Sequence, residues 1–487
     1  MSETLEDGDV LLDDRDADAA LAAFAELPDW LAAVMAPDGV ADALRRAVPE
    51  LSAPGVQLTG AEVDRLRAKG SEWLVHCRVE LVRDGAPEDV VLVGRLLPPG
   101  VTATTPPSAA AFGEPGWRGY LPDLRLQLEV EMADAGLPAL PSLVDADAAA
   151  DVLQQSLRNA GYDLDVTGCA PDVVRYKPGS RCTIVYRMAY RDDAPGPDPL
   201  VVKTHQGDKG RAAWEAMRAL WDRPVARDGV VTLAEPLAYL PDERVLVQGP
   251  VPEDRTLKDL ARDALTAAVT PGAGGTLDEL REMLARTASA LAALHGSGAE
   301  YGRTATWQEE LAEVREVVAR LATTVPQVGR AADPLLARLE VVDAAVPADP
   351  TVSAHHDFRP AQVLLHSGRI GFIDFDGACR AEPALDLGRF RAKLRDIGIS
   401  AYCAAGLPLA GKPLERHLRL LDELSDGFLA DYQRHARVAA DRVVLWETTD
   451  LLTALLHAWT KVRTARVAPR LAVLRHAVSG GSSAPGR

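Results

Sequence analysis

A chain of 487 residues, 47% hydrophobic and 25% charged, has room for two or three domains, each with a sizeable core. Its net charge of −18 argues against nucleic acid or an anionic membrane surface as the main partner and would suit a cationic one. Five cysteines (Cys77, Cys169, Cys182, Cys379, Cys403), odd in number and without a C-x-x-C pair, point to reduced thiols rather than a disulfide framework or a zinc site.

Residues 1–20 are acidic, lack the basic and apolar regions of a signal peptide, and are expected to be a disordered tail. No run approaches the roughly 18 apolar residues of a membrane span, so a cytoplasmic protein is expected. Residues 21–48 show helical spacing. Residues 56–97 read as three strands (63–66, 73–82 and 90–97), broken at Lys69-Gly70-Ser71 and at Asp84 to Pro87. Residues 97–117, rich in Pro, Ala and Gly, read as a linker or long loop, and a Leu/Pro-rich connection follows to about 142. A helix over 145–159 has Asp145 as its N-cap candidate. A second β group follows at 172–176, 181–190 and 200–205, with a break at Lys177-Pro178-Gly179-Ser180.

The two β groups look like copies at a constant offset of 109. Ala41-Asp42-x-Leu44 falls on Ala150-Asp151-x-Leu153, Gly70-Ser71 on Gly179-Ser180, Arg78 on Arg187 and Val93 on Val202. Lys203 of the second copy faces Gly94 of the first, so the first reads as a degenerate, non-catalytic lobe. Beyond it come a helix at 210–222, strands at 229–239 and 243–247, and a helix at 257–269. A flexible break at 270–275 precedes a capping box, Thr276-x-x-Glu279, that opens a helix to about 295. Helices are expected at 307–321, 334–345, 387–405 and through much of 414–475. The fold class is α+β, with strands first and helices after. The expected domains are a tail at 1–20, a lobe-like cap at 21–140, a β-rich lobe at 141–250, a helical lobe at 251–478 and a tail at 479–487.

The chemistry concentrates in 354–390. His355-His356-Asp357 is followed by Gln362. Two apolar runs, 363–365 and 370–375, are joined by Ser367-Gly368, and the second carries Asp374 and Asp376. This reads as a hairpin that brings Asp357, Gln362 and Asp374 together. Phosphoryl transfer needs such a set: one carboxylate to orient and deprotonate a hydroxyl, and an amide and a second carboxylate to hold Mg²⁺ against nucleotide phosphates.

The string resembles the catalytic region of the aminoglycoside phosphotransferase-like kinases. Their H-x-D-x-x-x-x-N loop and following I-D-[FW] strand appear as His355-His356-Asp357 to Gln362, then Ile373-Asp374-Phe375, with Asp386-Leu387 matching a later D-L. Gln362 replaces the usual Asn, as in maltokinase-like members. His356 stands where glycine is common, and Arg359 where a His is common. The resemblance covers roughly 151–478 and implies a bilobal protein-kinase-like fold that uses ATP or GTP with Mg²⁺ on a small-molecule acceptor.

On the nucleotide side, Gly179 and Ser180 would expose backbone N–H groups to phosphate. Lys203, in an apolar strand, needs a partner. Phosphates and Glu215, which lies on the following helix, would supply one. Backbone at Val247 to Gly249 is expected to meet adenine. Arg359 is expected to meet the γ-phosphate. Asp376 either assists the metal or is solvated, Asp386 braces the loop, and Glu447 with Asp450 reads as a solvated helix face or an acceptor contact. A maltokinase-like sugar kinase and a nucleotide-binding pseudokinase are the alternatives.

Overall fold

Alternating apolar and polar residues close two separate stretches of the chain into five-stranded antiparallel sheets. The computed structural model describes residues 24, 28–36, 38–69, 72–103, 110–130, 134, 136–177, 179–270 and 277–479. The 1–20 tail, the Gly70-Ser71 turn, the break at 271–276 with its capping-box Thr276, the middle of the 97–117 loop and the 480–487 tail lie outside the described residues. Two compact units result: Met1–Ala133 with Leu311–Val341 and Leu451–Ser483, and Asp134–Glu310 with Val342–Asp450 and Ala484–Arg487. Residues 311–341 and 451–478, expected in the helical lobe, therefore group with the first unit. An amphipathic helix carries no local mark of which core it will join.

In the first unit, β1 (Val56–Lys69), β2 (Glu72–Arg83), β3 (Ala86–Leu96), β4 (Arg118–Leu121) and β5 (Leu126–Val130) form a sheet of order β1-β2-β3-β5-β4. Every second residue of β2 is buried: Trp73, Val75, Cys77, Val79 and Leu81. β4 and β5 fall where only a connection was expected. Each is too short for its alternation to stand out, and pairing with β3 makes them strands. The helix expected over 21–48 is divided as well, with Asp38 in a left-handed conformation (φ 60°) ahead of the helix Gly39–Ala47.

The second unit repeats this plan. The helix Ala146–Asn159, N-capped by Asp145 through Ala148 N–H at 2.9 Å, precedes β6 (Val166–Lys177), β7 (Arg181–Tyr190) and β8 (Leu200–His205). The helix Lys209–Trp221 follows, then a short β9 (Thr232–Leu233), β10 (Pro236–Leu240) and β11 (Val245–Gln248). The strand expected over 229–239 is thus split into β9 and β10, which join different sheets. The main sheet runs β6-β7-β8-β11-β10. With only its own strands numbered in chain order, each sheet has the order 1-2-3-5-4. The first strand pair is also bulged twice in each, between Leu58/Gly60 and Val63/Arg65, and between Val166/Gly168 and Val173/Arg175. The reading of the two as copies rests on this shared order. A Cβ at Gly94, the counterpart of Lys203, would land inside the Gln127 carbonyl of β5, so no side chain fits there.

Helices dominate after β12 (Arg255–Thr256). The chain returns to strand for β13 (Val352–Ala354), β14 (Val363–His366), β15 (Arg369–Phe372) and β16 (Cys379–Ala381). β14 and β15 form the expected hairpin, with Val363 opposite Phe372. Ser367 and Gly368 both have positive φ (46° and 73°), the signature of a two-residue type I′ turn. Among the described residues no helix is long and apolar enough to cross a membrane.

Buried charges brace the loop ahead of the hairpin. Asp386, at the start of the helix Ala384–Ala404, accepts the His355 N–H at 2.7 Å and lies 3.1 Å from His295 Nε2. His355 Nε2 donates to the Ile373 carbonyl at 2.9 Å. Glu310 contacts His356 Nε2 at 3.0 Å and Arg389 at 2.8 Å. Burial alone would raise the Glu310 carboxyl, but His356 and Arg389 outweigh it and hold it at about 2. Glu447 and Asp450 are neither solvated nor open to an acceptor. Glu447 is buried against Arg391 (2.6 Å) and Arg395 (2.5 Å), and Asp450 against Arg389 (3.2 Å) and Lys393 (2.5 Å).

Two stability predictions follow from these contacts. Gly94→Ala should destabilise the protein by about 3 kcal/mol in denaturant melts, whereas Gly168→Ala, where a Cβ meets nothing within 4 Å, should cost under about 1 kcal/mol. A carboxyl with a depressed folded pKa stabilises above its unfolded pKa. Glu310 should therefore contribute on the order of 3 kcal/mol above about pH 4.5, lost as the pH falls towards 2. The stability gap between wild type and Glu310→Gln should accordingly be wide at pH 6, about halved near pH 3 and nearly closed by pH 2.

Candidate active site

The mouth of the β14–β15 hairpin sets the first part of the site. Gln362 N–H bonds the Arg359 carbonyl at 2.8 Å, and the Gln362 carbonyl accepts Ile373 N–H at 3.1 Å. These bonds put Gln362 across from the start of the Asp374 turn, and its Nε2 donates to Asp374 Oδ2 at 3.0 Å. Asp374 and His356 both have φ of 72°, a region that costs a side-chain-bearing residue about 1 kcal/mol or more. That backbone explains why glycine suits the position of His356. The Asp357 side chain is 40% exposed, and its Oδ2 lies 3.0 Å from Arg359 Nη2. Arg359, expected on a γ-phosphate, thus sits on the neighbouring acid.

The β-rich lobe supplies the second part. Lys203 and His205 are two apart on β8 and share a face. The Lys203 ammonium lies 2.7 Å from Asp374 Oδ1 and 3.0 Å from Asp376 Oδ1, and His205 Nε2 is 3.0 Å from Asp376 Oδ2. Arg181, the first residue of β7, reaches the same Asp376 oxygen at 3.0 Å. Burial would lower the Lys203 pKa, but the two carboxylates overcome it and the net shift is upward. Burial would raise Asp376, yet Lys203 and His205 hold it well below the usual carboxylate range. Asp376 is therefore not solvated. Arg175 on β6 adds a further cation, close enough for its charge to feel Asp374 and Asp357.

Three expectations for the nucleotide side change. Glu215, expected to tether Lys203, is exposed on its helix, and the lysine is held by Asp374 and Asp376 instead. The Gly179 and Ser180 amides do not stand free for phosphate: Gly179 N–H donates to Asp134 Oδ2 at 2.8 Å and Ser180 N–H to the Lys177 carbonyl at 3.0 Å. Val247 is buried in β11, and the Gly249 N–H is spent on the Glu235 carbonyl at 2.9 Å, extending the β10–β11 pairing by one residue. Arg181, His205 and Arg175 were missed by sequence reasoning. A basic residue directly after the Gly179-Ser180 turn, and a histidine two beyond the strand lysine, were the available signals.

Among the described residues, no group of three or more His, Cys, Asp or Glu side chains is placed to hold a metal. Asp374 and Gln362 form a pair, one carboxylate and one amide.

Comparison with known proteins finds similarity to one sequence family and to several solved structures. Residues 190–418 match the model of the phosphotransferase enzyme family. A search of the curated proteins gives no match. Among solved structures, a glucosamine kinase in complex with glucosamine, ADP and inorganic phosphate is 19% identical, with a TM-score of 0.48 over 88% of this chain and 97% of that one. A choline/ethanolamine kinase family protein from Mesorhizobium loti is 17% identical (TM-score 0.40, 67% of this chain, 99% of that one). A thermostable mutant of the aminoglycoside phosphotransferase APH(4)-Ia is 14% identical (TM-score 0.43, 68% and 100%). The segment similar to the phosphotransferase enzyme family begins at the end of β7 and takes in Lys203, Asp357, Gln362, Asp374 and Asp376.

Proposed function

We propose that this chain is a cytoplasmic small-molecule kinase that transfers the terminal phosphoryl group of ATP or GTP to a hydroxyl of its acceptor. The observation that carries the reading is a convergence on Asp374, which takes the Lys203 ammonium on one oxygen and the Gln362 amide on the other, at 2.7 and 3.0 Å. Residues 171 apart in the chain meet there.

Asp357, partly exposed, accepts the acceptor's hydroxyl proton as its oxygen attacks the phosphoryl group. Arg359 holds the Asp357 carboxylate at 3.0 Å, and its planar fork is of the kind that neutralises charge on a transferred phosphoryl group. Lys203 and Arg181 offer cations to the remaining phosphates. Magnesium bound with a nucleotide needs only one or two carboxylates besides phosphate and water, and Asp374 with Gln362 fits that need. When bound, the ion would neutralise phosphate charge. The acceptor fits the class of amino-sugars, aminoglycosides or related metabolites, a cationic class that the −18 net charge favours. Gln362 keeps a maltokinase-like sugar kinase as the alternative acceptor reading. Lys203, Asp357 and Asp374 together speak against a pseudokinase, which would bind nucleotide without turnover.

A screen of amino-sugars, aminoglycosides, amino alcohols and neutral sugars for acceptor-dependent ADP or GDP release tests the proposal, and the expected result is turnover with a cationic acceptor. Release from no acceptor despite nucleotide binding would overturn it. Asp357→Asn should lower turnover about 10²- to 10⁴-fold with nucleotide affinity nearly unchanged, so an undiminished rate in that variant would remove Asp357 as the base. Gln362→Ala should raise the Mg²⁺ concentration for half-maximal turnover roughly tenfold, and an unchanged requirement would remove Gln362 from the metal site.

A further inference from the structure

A lysine buried in a strand must have its ammonium fixed by a partner. In kinases that partner is a helix glutamate, yet Glu215 is exposed while the Lys203 side chain is only 11% exposed and carries two carboxylates. The two acids differ. Asp374 also receives the Gln362 amide, and the pair is assigned above to magnesium. Asp376 turns its Oδ1 to Lys203 at 3.0 Å and its Oδ2 to Arg181 and His205, both at 3.0 Å. Three side chains of the β-rich lobe thus grip one carboxylate, whose backbone lies in the short helical turn Phe375–Gly377 at the far end of the hairpin.

We propose that Asp376 is the positioning residue for Lys203, in place of a helix glutamate, with Arg181 and His205 fixing the direction of its carboxylate. The inference deepens the phosphotransferase reading and rests on it. With Asp374 committed to the metal, Asp376 is the anion that keeps Lys203 and Arg181 aimed at phosphate. The lysine is then set by the turn that follows the β14–β15 hairpin.

Calorimetric titration of Mg·ATP and Mg·GTP into the full chain tests this, with thermal melts to check folding. Glu215→Ala should bind within about twofold of wild type. Asp376→Asn should bind about tenfold or more weakly, a loss typical of one charge-assisted contact, with an unchanged Mg²⁺ requirement for turnover. In a Lys203→Met background, Asp376→Asn should add less than about twofold, because it acts through the lysine. The proposal is overturned if Glu215→Ala weakens binding as much as Asp376→Asn does. A full Asp376→Asn effect without Lys203, or a roughly tenfold higher Mg²⁺ requirement, overturns it too. Should Asp376→Asn not fold, His205→Gln takes its place: it loosens Asp376 but leaves Lys203, so threefold or weaker binding supports the proposal and wild-type affinity overturns it. A wild-type chain that binds neither nucleotide overturns the phosphotransferase reading and this inference together.

Discussion

The ammonium of Lys203 lies between Asp374 and Asp376, and most of the site depends on that contact. Charges taken out of water are held only where each has its partners. Removing one partner of a buried pair typically costs about 3–5 kcal/mol, so the cluster of Lys203, Arg181, His205, Asp374 and Asp376 admits few arrangements. Its cations come from β7 and β8 and its acids from the turn after β15. The β-rich lobe and the catalytic hairpin of the second unit are therefore joined through the same side chains that would receive a nucleotide.

The hairpin that presents the acids is itself held on several sides. Its type I′ turn sets the register, which puts Gln362 beside Asp374. His355 and Asp386 tie the loop before it to the strand after it through Ile373 and the helix Ala384–Ala404. The left-handed backbones of His356 and Asp374 persist because these bonds, with Glu310 and Arg389 around His356, over-determine them. Such strain in side-chain-bearing residues is a common mark of functional loops.

The parts legible in the sequence were those with a local pattern. Two short apolar runs and the Ser367-Gly368 break between them specify the hairpin, and the hairpin specifies the meeting of Gln362 with Asp374. The offset of 109 between the β groups covered a helix and three strands in each, and nothing in it marked the fourth and fifth strands of the first sheet or the paired bulges. Less legible were choices made by docking. Which face of the helix Lys209–Trp221 turns inward depends on its rotation against the sheet, so Glu215 was the reasonable partner by spacing and yet points to solvent. Asp376, two residues from Asp374, was open between metal and water, and only the approach of Arg181 and His205 decides its place. Whether the amides of Gly179, Ser180 and Gly249 stand free depends on Asp134, Lys177 and Glu235, two of them far from their partners in sequence. The charged helix face at Glu447 and Asp450 looked solvated for the same reason, since its arginines and lysine lie on another helix.

The most direct test of the site is a crystal structure of the chain with Mg²⁺ and a non-hydrolysable ATP or GTP analogue. The expected complex has the nucleotide phosphates against Lys203 and Arg181, oxygens of Asp374 and Gln362 on the metal, and Asp357 facing the terminal phosphate. A nucleotide seated away from Lys203, or phosphates and metal that leave Asp374 untouched, would contradict it.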